Sequence, residues 1–280
     1  MSIRRSLSLA GILALAGSAT AQTDSFHIMQ IQGVIGGVNG DTTQQAVQLR
    51  QRSSFQNQVQ LGILKAWDAT GSNPVILIHP GTSVPNFNLG DTILFTTAAF
   101  DTSTTPACVP DFHMNPIPAS YLPAGRLTWE DTFGTILWSL AWGGAAYTGS
   151  NMGSLTNSTT GNFGPQWPTP LPTGTQGLFL TISASATAGS NSTDYALTSG
   201  PAVFTNNAHT NFTINAAAPC YPNCDNSTIP PILNVLDFSC FLNKFAAGDT
   251  YANCDNSTTD PILNVLDFSC FLNRFAAGCS

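Results

Sequence analysis

Charge is scarce in this sequence. Asp, Glu, Lys and Arg make up 8% of its 280 residues, against about a quarter of an ordinary soluble domain. Lys and Arg total eight and Asp and Glu fifteen, for a net charge of −7. A chain this poor in cations has no basic footprint for the phosphates of DNA or RNA and no basic face for anionic lipid. Glutamate occurs once, as Glu130, and neither a G-x-S-x-G elbow nor an H-E-x-x-H pair is present. Two common hydrolase signatures are therefore missing. After residue 21 no apolar run approaches the ~18 residues needed to span a bilayer, so no membrane insertion is expected. Apolar residues are nevertheless 42% of the chain, enough to build a core and to exclude wholesale disorder.

The chain opens with an address. Arg4 and Arg5 precede an apolar stretch from Leu7 to Gly17, and Ala19-Thr20-Ala21 follows as an A-x-A site. These features in this order read as a secretory signal over residues 1–21; a buried first helix is the bland alternative. Removing Arg4 and Arg5 with it leaves six basic against fifteen acidic residues, or −9. The expected location is secreted, extracellular or at the cell surface, where disulfides persist.

Six of the seven cysteines lie in residues 220–280, and only Cys108 lies outside. This tail is a duplication with a period of 30: residues 224–248 and 254–278 differ at three of 25 positions, Ile229/Thr259, Pro230/Asp260 and Lys244/Arg274. Each copy reads as a polar loop and a short helix. Asn234 stands three residues before Asp237, a variant of the capping box. Leu236, Phe238, Phe241, Leu242 and Phe245 then recur at helical spacing, and Gly248 stands where a left-handed C-cap belongs. The second copy repeats this from Asn264 to Gly278. Two such apolar helix faces are expected to pack on each other. Six cysteines allow 15 pairings, of which the symmetry of the repeat favours Cys224–Cys240 and Cys254–Cys270. Cys220 and Cys279 are then left to clasp the ends. A zinc site is the alternative, but the tail has no His and no C-x-x-C, the usual zinc ligands.

The loops are rich in oxygen ligands. Asp225, Ser227, Asn234 and Asp237 precede or open the first helix, and Asp255, Ser257, Asn264 and Asp267 do so in the second. Calcium takes such oxygens converging from a turn; alternatively, Asp237 and Asp267 only cap helices. The duplicated N-C-D-x-S-T … L-N-V-x-D-F-x-C-F-x-N-x-F-A-A-G pattern over about residues 220–280 resembles the cysteine-containing GC-type dockerins of planctomycete-like bacteria. The resemblance implies paired EF-hand-like loop–helix units that bind Ca2+ and dock onto a cohesin-like or other extracellular scaffold protein. The loops depart from the usual calcium pattern. Counted from Asp225, Asp237 falls at position 13 rather than 12, position 5 is Ile229 or Thr259, and the glycine is missing. The disulfides are then expected to take over part of the metal's ordering role.

From Gln22 to Asn215 the pattern changes to short β-rich runs: residues 27–35, 46–50, 59–67, 75–79, 92–96, 126–130, 135–142 and 177–182. Gly, Pro, Asn and Ser clusters separate them, which argues for a sandwich or barrel. Residues 143–175 read as a surface excursion. The strings 46–50, 56–59, 67–71, 90–94 and 124–127 are distantly similar to lamin-tail-like β-sandwich modules of secreted bacterial proteins, which bring no catalytic residues with them. The expected fold is mostly β: a β-sandwich over 22–215, a linker over 216–219, and a small all-α, disulfide-tied duplicated loop–helix domain over 220–280.

A catalytic constellation is hard to assemble. Glu130 adjoins Asp131, and strand neighbours point to opposite faces, a poor pair for glycoside hydrolysis. Asp68, Asp91, Asp101 and Asp111 read as turn residues. His27, His79, His113 and His209 are scattered, and Cys108 has no evident base. Trp138, Leu140 and Trp142 share a strand face and read as core, whereas Trp167 is the candidate for an exposed platform. The expected function is that of a secreted, non-catalytic β-sandwich anchored through a Ca2+-binding dockerin-like module, with Lys244 and Arg274 on its partner-binding faces. The alternatives are a polysaccharide-binding module and a polysaccharide-active enzyme using Glu130.

Overall fold

The computed structural model describes residues 27–216, 220–227 and 231–278. The signal expected over 1–21, Cys279 and all of the expected linker except Ala216 lie outside the described residues.

Among the described residues, thirteen strands form three sheets. The largest has the order β11 (Tyr195–Leu197), β10 (Leu178–Leu180), β1 (Met29–Ile35), β2 (Ala46–Gln51), β5 (Thr92–Thr96) and β7 (Phe112–His113). A four-stranded antiparallel sheet runs β4 (Val75–Ile78), β3 (Gly62–Trp67), β8 (Gly125–Asp131) and β9 (Ile136–Trp142). A small sheet runs β12 (Val203–Thr205), β13 (Asn211–Ile214) and β6 (Thr104–Thr105).

Side-chain alternation decides how the sheets stack. On β2 and β5, Val47, Leu49, Ile93 and Phe95 turn one way into a cluster with Leu127, Trp129, Trp138, Leu140 and Trp142 of the four-stranded sheet. Ala46 and Leu94 turn the other way, against Phe204, Phe212 and Ile214 of the small sheet. The large sheet is thus buried on both faces, and β2 and β5 are buried nearly throughout; β5 shows this as the apolar run 93–95, as a two-faced strand should, whereas β2 also carries Gln48, Arg50 and Gln51. Gln48 ties its rear face to the small sheet, since its Oε1 accepts from Thr205 N at 2.6 Å. The Trp138–Leu140–Trp142 stripe is core, as the alternation implied.

Several expected runs are strands almost to the residue, Thr92–Thr96 among them. The run expected over 59–67 instead opens as a 3-10 turn, Val59–Leu61, before β3. Residues 143–175 are more than a surface excursion. They carry Phe163 and Leu171 into the core, and Phe163 meets Trp138 edge-on with centroids 5.4 Å apart.

The C-terminal repeat forms helices α2 (Val235–Ala246) and α3 (Val265–Ala277), numbered after the short α1 (Asn191–Asp194). Both begin with the expected capping box: the Asn234 and Asn264 side chains cap the first turn, while Asp237 and Asp267 bond back to the cap amides. Gly248 follows α2 at φ +71°, the left-handed conformation that glycine adopts without steric penalty. The two copies pack on each other through Phe241 and Phe271, stacked with centroids 4.1 Å apart, and through Phe238 against Phe268.

One glycine in the sandwich is required by close approach. A Cβ on Gly62 would lie 2.0 Å from the Trp129 ring, which is fully buried. Gly62→Ala should therefore destabilise the sandwich by about 1–3 kcal/mol. Urea unfolding followed by tryptophan fluorescence reads this alone, because all five tryptophans precede residue 168. An unchanged midpoint would contradict the packing.

Candidate functional site

The tail is built around a pseudo-two-fold relation between its copies. The relation begins three residues before the near-identical repeat: Tyr221 and Tyr251 are also 30 apart, and their rings stack with centroids 4.8 Å apart at 12°. Each hydroxyl donates to the other's backbone carbonyl, Tyr221 Oη to Tyr251 O at 2.7 Å and Tyr251 Oη to Tyr221 O. Burial raises both phenols to about 12. Lys244 of the first copy lies over Tyr251 of the second, and Arg274 of the second lies over Tyr221 of the first. Lys244 also pairs with Asp249 at 3.1 Å. Both cations expected on the partner-binding faces are thus engaged in the tail's own packing.

Disulfides join Cys224 to Cys240 and Cys254 to Cys270, each tying a loop to its own helix. A loop of this length gains ~3 kcal/mol in the chain-entropy model. Cys220 is also disulfide-bonded; its expected partner, Cys279, lies outside the described residues.

The loop oxygens converge on the helix starts. Asp237, fully buried, accepts from Asn234 N at 2.9 Å and Asp225 N at 3.3 Å. Asp267 accepts from Asn264 N at 2.8 Å and Asp255 N at 3.2 Å. Burial pushes the Asp267 carboxyl up, but the amides of Asn264, Asp255 and Cys254, with the Asp255 side chain, hold it below its ordinary value. The Asn234 and Asn264 oxygens accept from Leu236 N and Leu266 N. Asp225 accepts from Ser227 N and Asp255 from Ser257 N, both at 2.9 Å, and Ser257 Oγ donates to Ile262 O. Among the described residues no group of three or more His, Cys, Asp or Glu side chains is placed to hold a metal. Each loop thus brings the amide of its first aspartate to the buried carboxylate of its second, and calcium's 6–8 oxygens would need carbonyls, amides and water besides these carboxylates.

What the sequence reading missed is the outward face of the helices. Val235 and Leu236 are 72% and 60% exposed, and Val265 and Leu266 are 72% and 61% exposed. Leu242 and Leu272 are exposed as well. Residues 235, 239 and 242 fall on one helix face, and Ile232 and Ile262, also exposed, precede it in the two copies. The helical spacing was legible, but it grouped Leu236 and Leu242 with the buried phenylalanines.

Residues elsewhere are occupied structurally. Glu130, nearly buried on the outward face of the four-stranded sheet, pairs with Lys65 at 2.6 Å and accepts from Thr128 Oγ1 at 2.5 Å. Asp131 instead receives Phe133 N and Thr135 N in the β8–β9 turn. Trp167 is half-buried against the core and bonds to Thr169 Oγ1. His113 and His209 pair with Asp101 and Asp91, His79 bonds to Gln60 O, and His27 is held below its ordinary value by burial. Asp111 links Leu94 N to Asn207 N, and so ties β5 to the β12–β13 turn.

Cys108 is a free, buried thiol. Burial, with the Asp101 and Asp111 carboxylates, raises it to about 12, so the thiolate needed for nucleophilic attack is negligible at neutral pH. A thiol reagent at pH 8 should leave Cys108 unmodified in the folded chain and label it in urea. Peptide mapping checks this, and labelling of the folded chain at a free-thiol rate would contradict it. No protein-family model matches the chain, and neither the curated proteins nor the solved structures contain a match to it.

Proposed function

We propose that the chain is a secreted, non-catalytic β-sandwich protein held to an extracellular scaffold protein by its C-terminal repeat. The observation that carries this reading is the pair of matched aliphatic stripes, Val235, Leu236 and Leu242 on α2 and Val265, Leu266 and Leu272 on α3. Contiguous exposed apolar surface on a folded unit is characteristic of interaction sites, and the stripes stand on helices fixed by capping boxes and disulfides. A rigid surface loses little conformational entropy on binding. The partner surface would be apolar, of the kind a cohesin-like module offers to a dockerin-like one.

Calcium belongs to this reading as a support for the loops. Asp225 with Asp237, and Asp255 with Asp267, would supply carboxylate oxygens, and Ser227, Asn234, Ser257 and Asn264 lie beside them in the sequence. No ion pair to Asp255 or Asp267 is found among the described residues, so a divalent cation would meet carboxylates that have no cationic side chain of their own.

The test uses the full secreted chain as bait against surface and culture fractions, with calcium and with excess chelator. The same protein should be captured repeatedly with calcium and lost with chelator. Leu236→Asp combined with Leu266→Asp should cut its capture at least tenfold while the circular dichroism stays unchanged. Capture that survives the double substitution sinks the helix-face assignment; capture indifferent to chelator removes calcium from it.

A further inference from the structure

A second exposed apolar surface stands on the sandwich itself. Phe55 follows β2 and Phe87 precedes β5, and their rings stack with centroids 5.0 Å apart at 15°. Phe55 is 61% exposed and Phe87 41%. Phe55 N donates to Phe87 O at 2.6 Å. Asn57 and Val84 exchange two further bonds between the same loops, Asn57 Nδ2 to Val84 O at 2.6 Å and Val84 N to Asn57 O at 3.1 Å. Beneath them the fully buried Gln51 donates Nε2 to Asn86 O at 2.7 Å, and Asn207 braces Asn86 from the side. The pair is a fixed platform rather than two loose side chains.

The backbone under it is strained. Phe55 has φ +65°, a conformation unfavourable for a bulky side chain and characteristic of sites where strain serves a function. A glycine would relieve it, yet an aromatic ring stands there and faces solvent.

Charge and size narrow the occupant. Arg52, three residues before Phe55, gives its donors to Ala186 O, Thr156 O and Asn157 Oδ1. Asp91 is taken by Asn88 N and His209. The exposed chain neighbours of the two rings are the polar Ser53, Ser54 and Asn88 and the apolar Pro85 and Leu89. An anionic ligand or an anionic membrane finds no counter-charge here. Two aromatic side chains offer ~150–250 Å² each, far below the ~800 Å² per partner of a stable protein interface. What fits is a small, neutral, flat group with an apolar face and a polar edge.

We propose that Phe55 and Phe87 form a binding platform for a pyranose ring of a neutral polysaccharide. The C–H face of the sugar lies on the open face of Phe55, and its hydroxyls reach the serine hydroxyls and the Asn88 amide. The platform is independent of the C-terminal docking surface. The two surfaces would let one chain hold a scaffold protein and a glycan together.

Affinity electrophoresis of the full chain tests this, in native gels cast with hydroxyethylcellulose, arabinoxylan or galactomannan, beside pull-down on insoluble cellulose and chitin. Retention on at least one glycan is expected, reduced at least fivefold in Phe55→Gly and Phe87→Ala. Phe55→Gly removes the ring but suits the backbone, so its Tm should be unchanged or raised and loss of binding cannot be ascribed to misfolding. Free mobility on every glycan, or retention equal in both variants, overturns the proposal. Co-sedimentation with neutral phosphatidylcholine vesicles that depends on Phe55, without glycan retention, would overturn it in favour of a lipid surface.

Discussion

The structure depends on a central sheet that has to be covered twice. β2 and β5 alternate apolar residues toward both faces, Val47 and Phe95 one way and Ala46 and Leu94 the other. A single partner sheet would leave one of these faces in water. The four-stranded sheet, with three of its four tryptophans turned inward, covers the front and the small sheet the rear. Even the outward face of the four-stranded sheet is closed by a polar row, in which Trp67 Nε1 bonds Thr128 Oγ1, Lys65 meets Glu130, and Arg126 Nε bonds Ser139 Oγ. Polar groups buried in this way are tolerated because each has a partner. With the faces closed, the sandwich is left to recognise ligands with loops at its ends and with its edges, the usual arrangement for this architecture.

The tail meets the opposite problem. A unit of about 60 residues has too little core to hold itself by burial alone. Its answer is to use one set of contacts twice. Phe241 meets its own repeat equivalent, Phe271, and Tyr221 meets Tyr251. The single conservative exchange in the helices, Lys244 for Arg274, keeps a cation over each tyrosine. Guanidinium and ammonium differ in shape but both bind a ring face, so the exchange leaves the pairing intact. The disulfides then supply constraint that packing cannot.

Much of the β architecture was legible because both-face burial writes itself as continuous apolar runs, as at Thr92–Thr96, and one-face burial as alternation, as at Trp138–Leu140–Trp142. The helix starts were legible because Asn234 and Asp237 stand at capping-box spacing. Some of the shortest strands, Thr104–Thr105, Phe112–His113 and Asn211–Ile214 among them, were not, although Val75–Ile78 and Leu178–Leu180 were; the former carry no apolar run and are set by the sheet they join. The tyrosine pair was missed because identity between the copies becomes sparse before Cys224. Exposure was the least legible property. Leu236 and Phe238 are both apolar and close neighbours on one helix, yet only the second packs into the tail core. Phe55 in a turn and Phe100 in a short 3-10 helix are the same residue outside the strands of one domain, one open to solvent and the other fully buried.

That last difference bears on function. A two-helix unit has no third layer, so whatever apolar width exceeds the helix–helix seam must face outward. Polar residues on that face would cost the tail's core nothing, because the core is closed by Phe238, Phe241, Phe268 and Phe271 without Val235 or Leu236. A chain with 8% charged residues also has little charge to offset exposed aliphatic surface. The stripes are therefore unfavourable for the isolated molecule and become favourable only when covered. The same holds for the Phe55 ring, which is held out to solvent on a backbone that would relax with glycine. Two features that burden the free chain, one on the helices and one on the sandwich, are those expected of a protein that works between two partners.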